Sequence, residues 1–288
     1  SCFVGALAAF YENIPVAHVE AGLRTGTMRA PFPEEANRTL TGRLAHWHFP
    51  PTKQAQANLL AEGIAGDQVE ITGNTVIDAL LWVRDRIVDL KPEAFPALEP
   101  IRGMLEKDAS IVLVTGHRRE NFGAGFESLC AAIADVAAAH PDWHMVYPVH
   151  LNPNVRGPVF RLLGDRTNVH LIDPLSYQPF IYLMNRSRIV LTDSGGVQEE
   201  APSLGKPVLV TRDVTERPEA VEAGTVRLVG TDRNRIVTEM ERLITDSDHY
   251  AAMSRAHNPY GDGHAARRIV DRLRRDLCGS HTETRPKR

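Results

Sequence analysis

Residues 110–115 read Ser-Ile-Val-Leu-Val-Thr, an apolar core with no polar alternation. A strand of that kind is buried on both faces, as in a parallel sheet covered by helices on either side. Comparable runs follow at 144–149, 169–172, 188–192, 207–210 and 226–229, each separated by a helix-length segment. Strand, helix, strand at this rhythm predicts an α/β fold with a doubly wound parallel sheet.

The alternation extends upstream. A helix tail at 1–11 precedes a short strand at 15–20, which runs into a glycine-bearing loop. Pro33 opens a helix to about Leu44, because proline suits a first helical position. A strand at 47–49, a helix capped by Thr52, and a strand at 69–71 come next. Val76, Leu80, Val83 and Ile87 then mark the buried face of another helix. The pattern lapses at Pro92, Pro96 and Pro100, the best candidate boundary. The last helix, about 264–277, places Ile269, Leu273 and Leu277 on one side.

Hydrophobic residues make up 43% of the 288, enough for sizeable cores. The net charge of −3 offers no broad attraction for nucleic acid. No uncharged apolar stretch approaches the ~18 residues that span a membrane. Three distant cysteines without metal-ligand spacing point to a reducing cytoplasm and to no metal site. The chain opens Ser-Cys-Phe, without Met or targeting signal, inside an expected helix, and reads as an enzyme lacking its beginning.

In open α/β sheets ligands lie beyond the carboxyl ends of the strands. After the strand at 188–192, Ser194 can cap a helix that Gly195 and Gly196 open, leaving its first N–H groups for a phosphate. Glu199 and Glu200, a turn further in, can accept hydrogen bonds from ribose hydroxyls; the plainer alternative is a capped helix with early acids on its dipole. His117, Arg118 and Arg119 end the strand at 110–115 and can clamp an anionic leaving group, or form a solvated basic loop. Arg217 can neutralise a diphosphate, hold a carboxylate, or form an exposed salt bridge worth ~0.2–1 kcal/mol.

Upstream, Glu20 ends its strand on the side of Val16 and His18, and Glu34 and Glu35 open the helix behind Pro33. Two such acids suit proton transfer. The alternatives are a solvated strand end for Glu20 and, for the pair, dipole stabilisation with a Glu34–Arg38 i,i+4 contact. His150 either lines the site or packs; Cys130 lies on an apolar helix face.

Seven motifs appear in order: His18-Val-Glu-Ala-Gly-Leu-Arg-Thr-Gly26, Pro33-Glu-Glu-Ala-Asn-Arg-Thr-Leu-Thr-Gly42, Gly73-Asn-Thr-Val-Ile-Asp78, Gly116-His-Arg-Arg-Glu-Asn121, Asp193-Ser-Gly-Gly196, Thr215-Glu-Arg-Pro-Glu219 and Asn258-Pro-Tyr-Gly-Asp-Gly263. Together they resemble the bacterial non-hydrolysing UDP-N-acetylglucosamine 2-epimerases, from residue 1 to about 277. The resemblance implies two Rossmann-like domains of glycosyltransferase-B type, with UDP-sugar in the cleft. Residues 1–91 would be the later part of a truncated N-terminal domain, 92–108 a linker, 109–257 the UDP-binding domain and 258–288 a crossing helix and tail.

It implies interconversion of UDP-GlcNAc and UDP-ManNAc for surface polysaccharide, with no cofactor, by elimination of UDP to 2-acetamidoglucal and re-addition. Glu20 and Glu34 would be acid/base carboxylates, and His117 would stabilise departing UDP. Ser194, Gly195 and Gly196 would hold the diphosphate, Glu200 the ribose and Arg217 the nucleotide charge. Phe180 would meet the uracil beside the main chain of Leu175, while Arg118 and His150 match an allosteric UDP-GlcNAc site. A homodimer is implied, as is a third carboxylate, an Asp just upstream of this chain's first residue. The competing readings are the hydrolysing relative, releasing UDP and ManNAc, and a UDP-sugar-binding fragment without catalysis.

Overall fold

The computed structural model describes residues 2–116, 118 and 122–279. In chain order the elements begin with α1 (Cys2–Tyr11), β1 (Ala17–Val19), α2 (Glu34–Leu44), β2 (Trp47–Phe49), α3 (Lys53–Ala61) and α4 (Thr75–Ile87). Next come α5 (Arg102–Glu106), β3 (Ser110–Thr115), α6 (Ala124–Ala139), β4 (Trp143–Pro148), α7 (Pro153–Leu163), β5 (Val169–Ile172) and α8 (Tyr177–Arg186). The chain ends with β6 (Ile189–Thr192), α9 (Gly195–Ser203), β7 (Val208–Val210), α10 (Pro218–Glu222), β8 (Val226–Leu228), α11 (Arg233–Thr245), α12 (Ser247–Arg255) and α13 (Ala265–Gly279). Two compact units result: 1–81 with 259–288, and 82–258.

In the first unit β1 and β2 pair in parallel, Ala17 opposite Trp47 and Val19 opposite Phe49. The strand expected at 69–71 contracts to a single bridge between His48 and Val69, since a 3-10 turn occupies Gly66–Gln68 immediately before it. Trp47, Phe49 and Ile269 form one core cluster, with Ala17 and Leu273 against it, so α13 packs on this small sheet. Leu277, expected on the same stripe, is half exposed. Asp78 on α4 fixes the start of α13: its Oδ1 accepts the Ala265 N–H at 3.0 Å and its Oδ2 the Ala266 N–H at 2.7 Å.

The second unit carries six parallel strands in the order β5-β4-β3-β6-β7-β8, which is the 3-2-1-4-5-6 order of a dinucleotide-binding sheet. Val112, Val114, Met145, Leu191 and Leu209 face α6, α7 and α11 in one apolar cluster. Strand alternation sends Ile111, Leu113, Val190 and Val208 to the other face, equally buried, where α8 and α9 pack. Cys130 lies inside the cluster, and burial pushes its thiol up to about 12, which leaves it unreactive at neutral pH. The proline-rich stretch folds as 3-10 turns at Pro92–Ala94 and Pro96–Ile101 followed by α5, with Phe95 against Tyr182 at 4.7 Å.

Candidate active site

In the second unit the strand order reverses between the parallel neighbours β3 and β6, the point where a doubly wound sheet opens toward ligands. Thr115 pairs with Thr192 in register, so the loops after these strands start level, and the two hydroxyls meet at 2.5 Å. The Arg118 N–H donates to Asp193 Oδ2 at 2.8 Å, tying one loop to the other. His117, between them in the sequence reading, lies outside the described residues. Tyr147, fully buried, donates to the Gly116 carbonyl at 2.8 Å from beneath.

Ser194 occupies the cap position of α9 with extended backbone, but its side chain makes no capping bond. No acid stands in the first turn, so the plainer reading of early acids on the dipole does not hold. The first amides of α9 therefore point outward with a positive helix end behind them, which suits a phosphate. Gly195 is glycine for a local reason: a Cβ there would stand 2.7 Å from Arg217 Nη1.

Arg217 is 4% exposed, which removes the exposed-salt-bridge alternative. Its Nε lies 2.5 Å from Glu199 Oε1 and its Nη1 2.6 Å from Glu216 Oε1, while Arg212 reaches Glu216 Oε2 at 3.1 Å. Two cations and two anions thus alternate in a buried ladder under the α9 N-terminus, the arrangement in which buried charge is tolerable. Glu200, by contrast, accepts the Tyr177 hydroxyl at 2.8 Å, and burial raises its carboxyl above the usual range against the opposing effect of that bond. Tyr177 opens α8, with Leu175 just before it and Phe180 one turn on, both partly buried. His150 is exposed beyond β4, where its Nδ1 accepts the Asn152 N–H at 3.1 Å; it is not a packed histidine.

In the first unit α2 begins one residue later than expected, with Pro33 as its cap and Glu34 at its first position. Glu35 is buried and accepts the Thr25 N–H at 3.1 Å and the Gly26 N–H at 3.0 Å. Glu34 is exposed, and the expected Glu34–Arg38 ion pair does not form. Glu20 has φ of +61°, so strand alternation stops at Val19 and does not set its side. Its Oε1 receives Asn74 Nδ2 at 3.4 Å.

Glu20 and Glu34 line one cavity of about 240 Å³ with His18, Asn37, Arg38 and Thr41. His18 Nδ1, Arg38 Nη1 and Thr41 Oγ1 are buried with no hydrogen-bond partner among the described residues. Burial, helped by His48, Arg24 and Arg38, lowers the His18 imidazole to about 4, so it is neutral at physiological pH. Unsatisfied donors and acceptors around a cavity with two carboxylates fit a polar, hydroxyl-rich ligand. Among the described residues no group of three His, Cys, Asp or Glu could hold a metal ion, and no helix is long and apolar enough to cross a membrane.

The family model described as UDP-N-acetylglucosamine 2-epimerase matches residues 1–274. The chain belongs to the UDP-N-acetylglucosamine 2-epimerase family. The UDP-N-acetylglucosamine 2-epimerase of Escherichia coli K12 is 62% identical over 274 residues, covering 93% of this chain and 71% of that protein. That of Campylobacter jejuni is 53% identical over 272 residues, covering 94% and 71%. The Neisseria meningitidis UDP-GlcNAc 2-epimerase, solved bound to UDP-GlcNAc, superposes with a TM-score of 0.89 at 49% identity, covering 94% of this chain and 72% of that one. The fold class is thus that of these epimerases, α/β of glycosyltransferase-B type.

Set within that family, several residues of the site carry no separate signal in the sequence. Asn74, His18, Arg38 and Thr41 stand inside quoted motifs, and Tyr177 lies outside all of them. Their types alone gave no reason to prefer them over their neighbours. From the sequence Arg38 stands only as an i,i+4 partner for Glu34.

Proposed function

We propose that the protein is a non-hydrolysing UDP-GlcNAc 2-epimerase that interconverts UDP-GlcNAc and UDP-ManNAc. The observation that carries the reading is the shared cavity of Glu20 and Glu34, two carboxylates around polar groups that lack partners. One carboxylate removes the proton from C2 as the C1–O bond breaks and its electron pair leaves with UDP. A C1–C2 double bond remains, giving 2-acetamidoglucal. The other carboxylate returns a proton to the opposite face of C2, and UDP adds back at C1. The two acids exchange roles between the forward and reverse directions.

In this reading the α9 amides and Ser194, Gly195 and Gly196 bind the diphosphate, which carries its charge into the helix end. Glu200 takes the ribose hydroxyls, Phe180 and the Leu175 main chain the uracil, and His117 the departing oxygen. Arg217 is already paired with Glu199 and Glu216, so its role is to hold the glycine turn as much as to offset phosphate charge. Arg118 and His150 belong to a second, activating UDP-GlcNAc site. A cytoplasmic homodimer supplying ManNAc-type sugars for surface polysaccharide completes the proposal, resting on the family resemblance.

Turnover of UDP-GlcNAc in D₂O by the complete protein tests the chemistry. The expected result is deuterium at C2 of both epimers with UDP remaining attached. Turnover without deuterium excludes the elimination route, and stoichiometric release of UDP with free ManNAc selects hydrolysis.

A further inference from the structure

We propose that Asn74 is a positioning residue for Glu20, and that it links this carboxylate to the segment 259–263 by which the chain returns to the first unit. The inference rests on the assignment of Glu20 as an acid/base group. With a φ of +61°, Glu20 sits in the left-handed region, which is unfavourable for a residue with a Cβ. That backbone turn frees the side chain from strand alternation, so contacts beyond the strand must fix where the carboxylate lies. Asn74 supplies one, through Nδ2 to Oε1 at 3.4 Å.

The orientation of the Asn74 amide is set by its surroundings. Its Oδ1 accepts the Val76 N–H at 3.2 Å, at the start of α4, which leaves the NH₂ end for Glu20. The side chain is 5% exposed, and its backbone is anchored as well. The Asn74 N–H donates to the Tyr260 carbonyl at 2.7 Å, and Tyr260 is fully buried. Two glycines allow this approach. Gly73, at φ +82°, would carry a Cβ only 3.2 Å from the Gly261 Cα, and Gly261 has φ of +144°, which residues with a Cβ rarely adopt. Residues some 190 positions apart therefore hold one amide, and that amide holds Glu20. A contact of 3.4 Å contributes little to folding, so its effect falls on the geometry of the reacting group.

Asn74→Ser separates the roles. A serine keeps an oxygen for the Val76 N–H and keeps the backbone bond to Tyr260, adds no charge beside Glu20, and loses the amide donor that faces it. In the complete protein it should lower kcat by about tenfold or more while KM stays within about twofold. In a Glu20→Asp background, which keeps a carboxylate and a measurable turnover, the same change should cause a clearly smaller loss, because the two residues act as one unit. Wild-type kcat in Asn74→Ser overturns the positioning role alone. Equal losses in the two backgrounds do the same, by marking Asn74 as structural. Wild-type turnover in Glu20→Gln overturns the acid/base assignment itself, and the proposal with it.

Discussion

Glu34 and Glu35 are adjacent acids at the start of one helix, and the fold gives them opposite surroundings, Glu34 exposed and Glu35 buried. Glu35 is 2% exposed and receives backbone N–H groups of Thr25 and Gly26, so it holds the loop after β1. Glu35→Ala should cost about 1–3 kcal/mol, since two part-buried donors lose their acceptor, as urea denaturation would measure. Glu34→Ala should stay within about 1 kcal/mol of wild type, the worth of an exposed acid at a helix start, yet abolish epimerisation. Helix position alone does not separate the two acids, and only the resemblance singles out Glu34; what Glu35 does depends on where residues 25 and 26 return. Glu200 offers a second contrast. Its carboxyl is raised by burial, so the folded state binds the proton more tightly than the unfolded chain does. That stability is present below the unfolded value and lost as pH rises through the folded one. Glu200→Gln should therefore raise the melting temperature at pH 7, with the difference vanishing in acid, while weakening UDP binding in calorimetry.

At the scale of elements, strands were the most legible part. Continuous runs of β-branched and aliphatic residues marked β3 to β8 within a residue or two, because a doubly covered strand has few polar positions to mislead. The stretch at 69–71 differs from its expected strand, since three residues beside a 3-10 turn form a bridge rather than a ladder. The glycine-opened α9 was legible from Asp193-Ser-Gly-Gly196, but the buried ladder beneath it was not. From the sequence Arg217 can hold a carboxylate, and the structure supplies it from Glu199, 18 positions earlier, which no local pattern identifies. Asp78 was likewise only part of a motif, and its work is to cap a helix nearly 190 residues away. Asp78→Ala should cost about 1–2 kcal/mol, the usual value of a helix-cap acceptor. Hydrogen exchange should show the loss concentrated in the first turn of α13, with the second unit unaffected.

Across the whole molecule, the chain leaves the first unit at Leu81 and returns to it at Pro259. What the composition leaves open is how the molecule responds to acid, because net charge near zero hides individually buried groups. Burial lowers the imidazoles of His18 and His48 in the first unit, and of His144, His170 and His249 in the second. For each, the unfolded chain takes up a proton at a pH where the folded state does not. The stability they contribute is full above 6.5 and is lost as pH falls toward the folded value. Glu200 acts in the opposite sense, as a single group. For His18, 6% exposed, the fall from 6.5 to about 4 corresponds to about 3 kcal/mol. The protein should therefore be most stable above pH 6.5 and weaken steadily between pH 6.5 and 4. His18→Gln, which cannot ionise, should flatten that slope by up to about 3 kcal/mol in urea denaturation across the same window. An unchanged slope would mean that His18 reaches solvent or a partner before the rest of the unit unfolds.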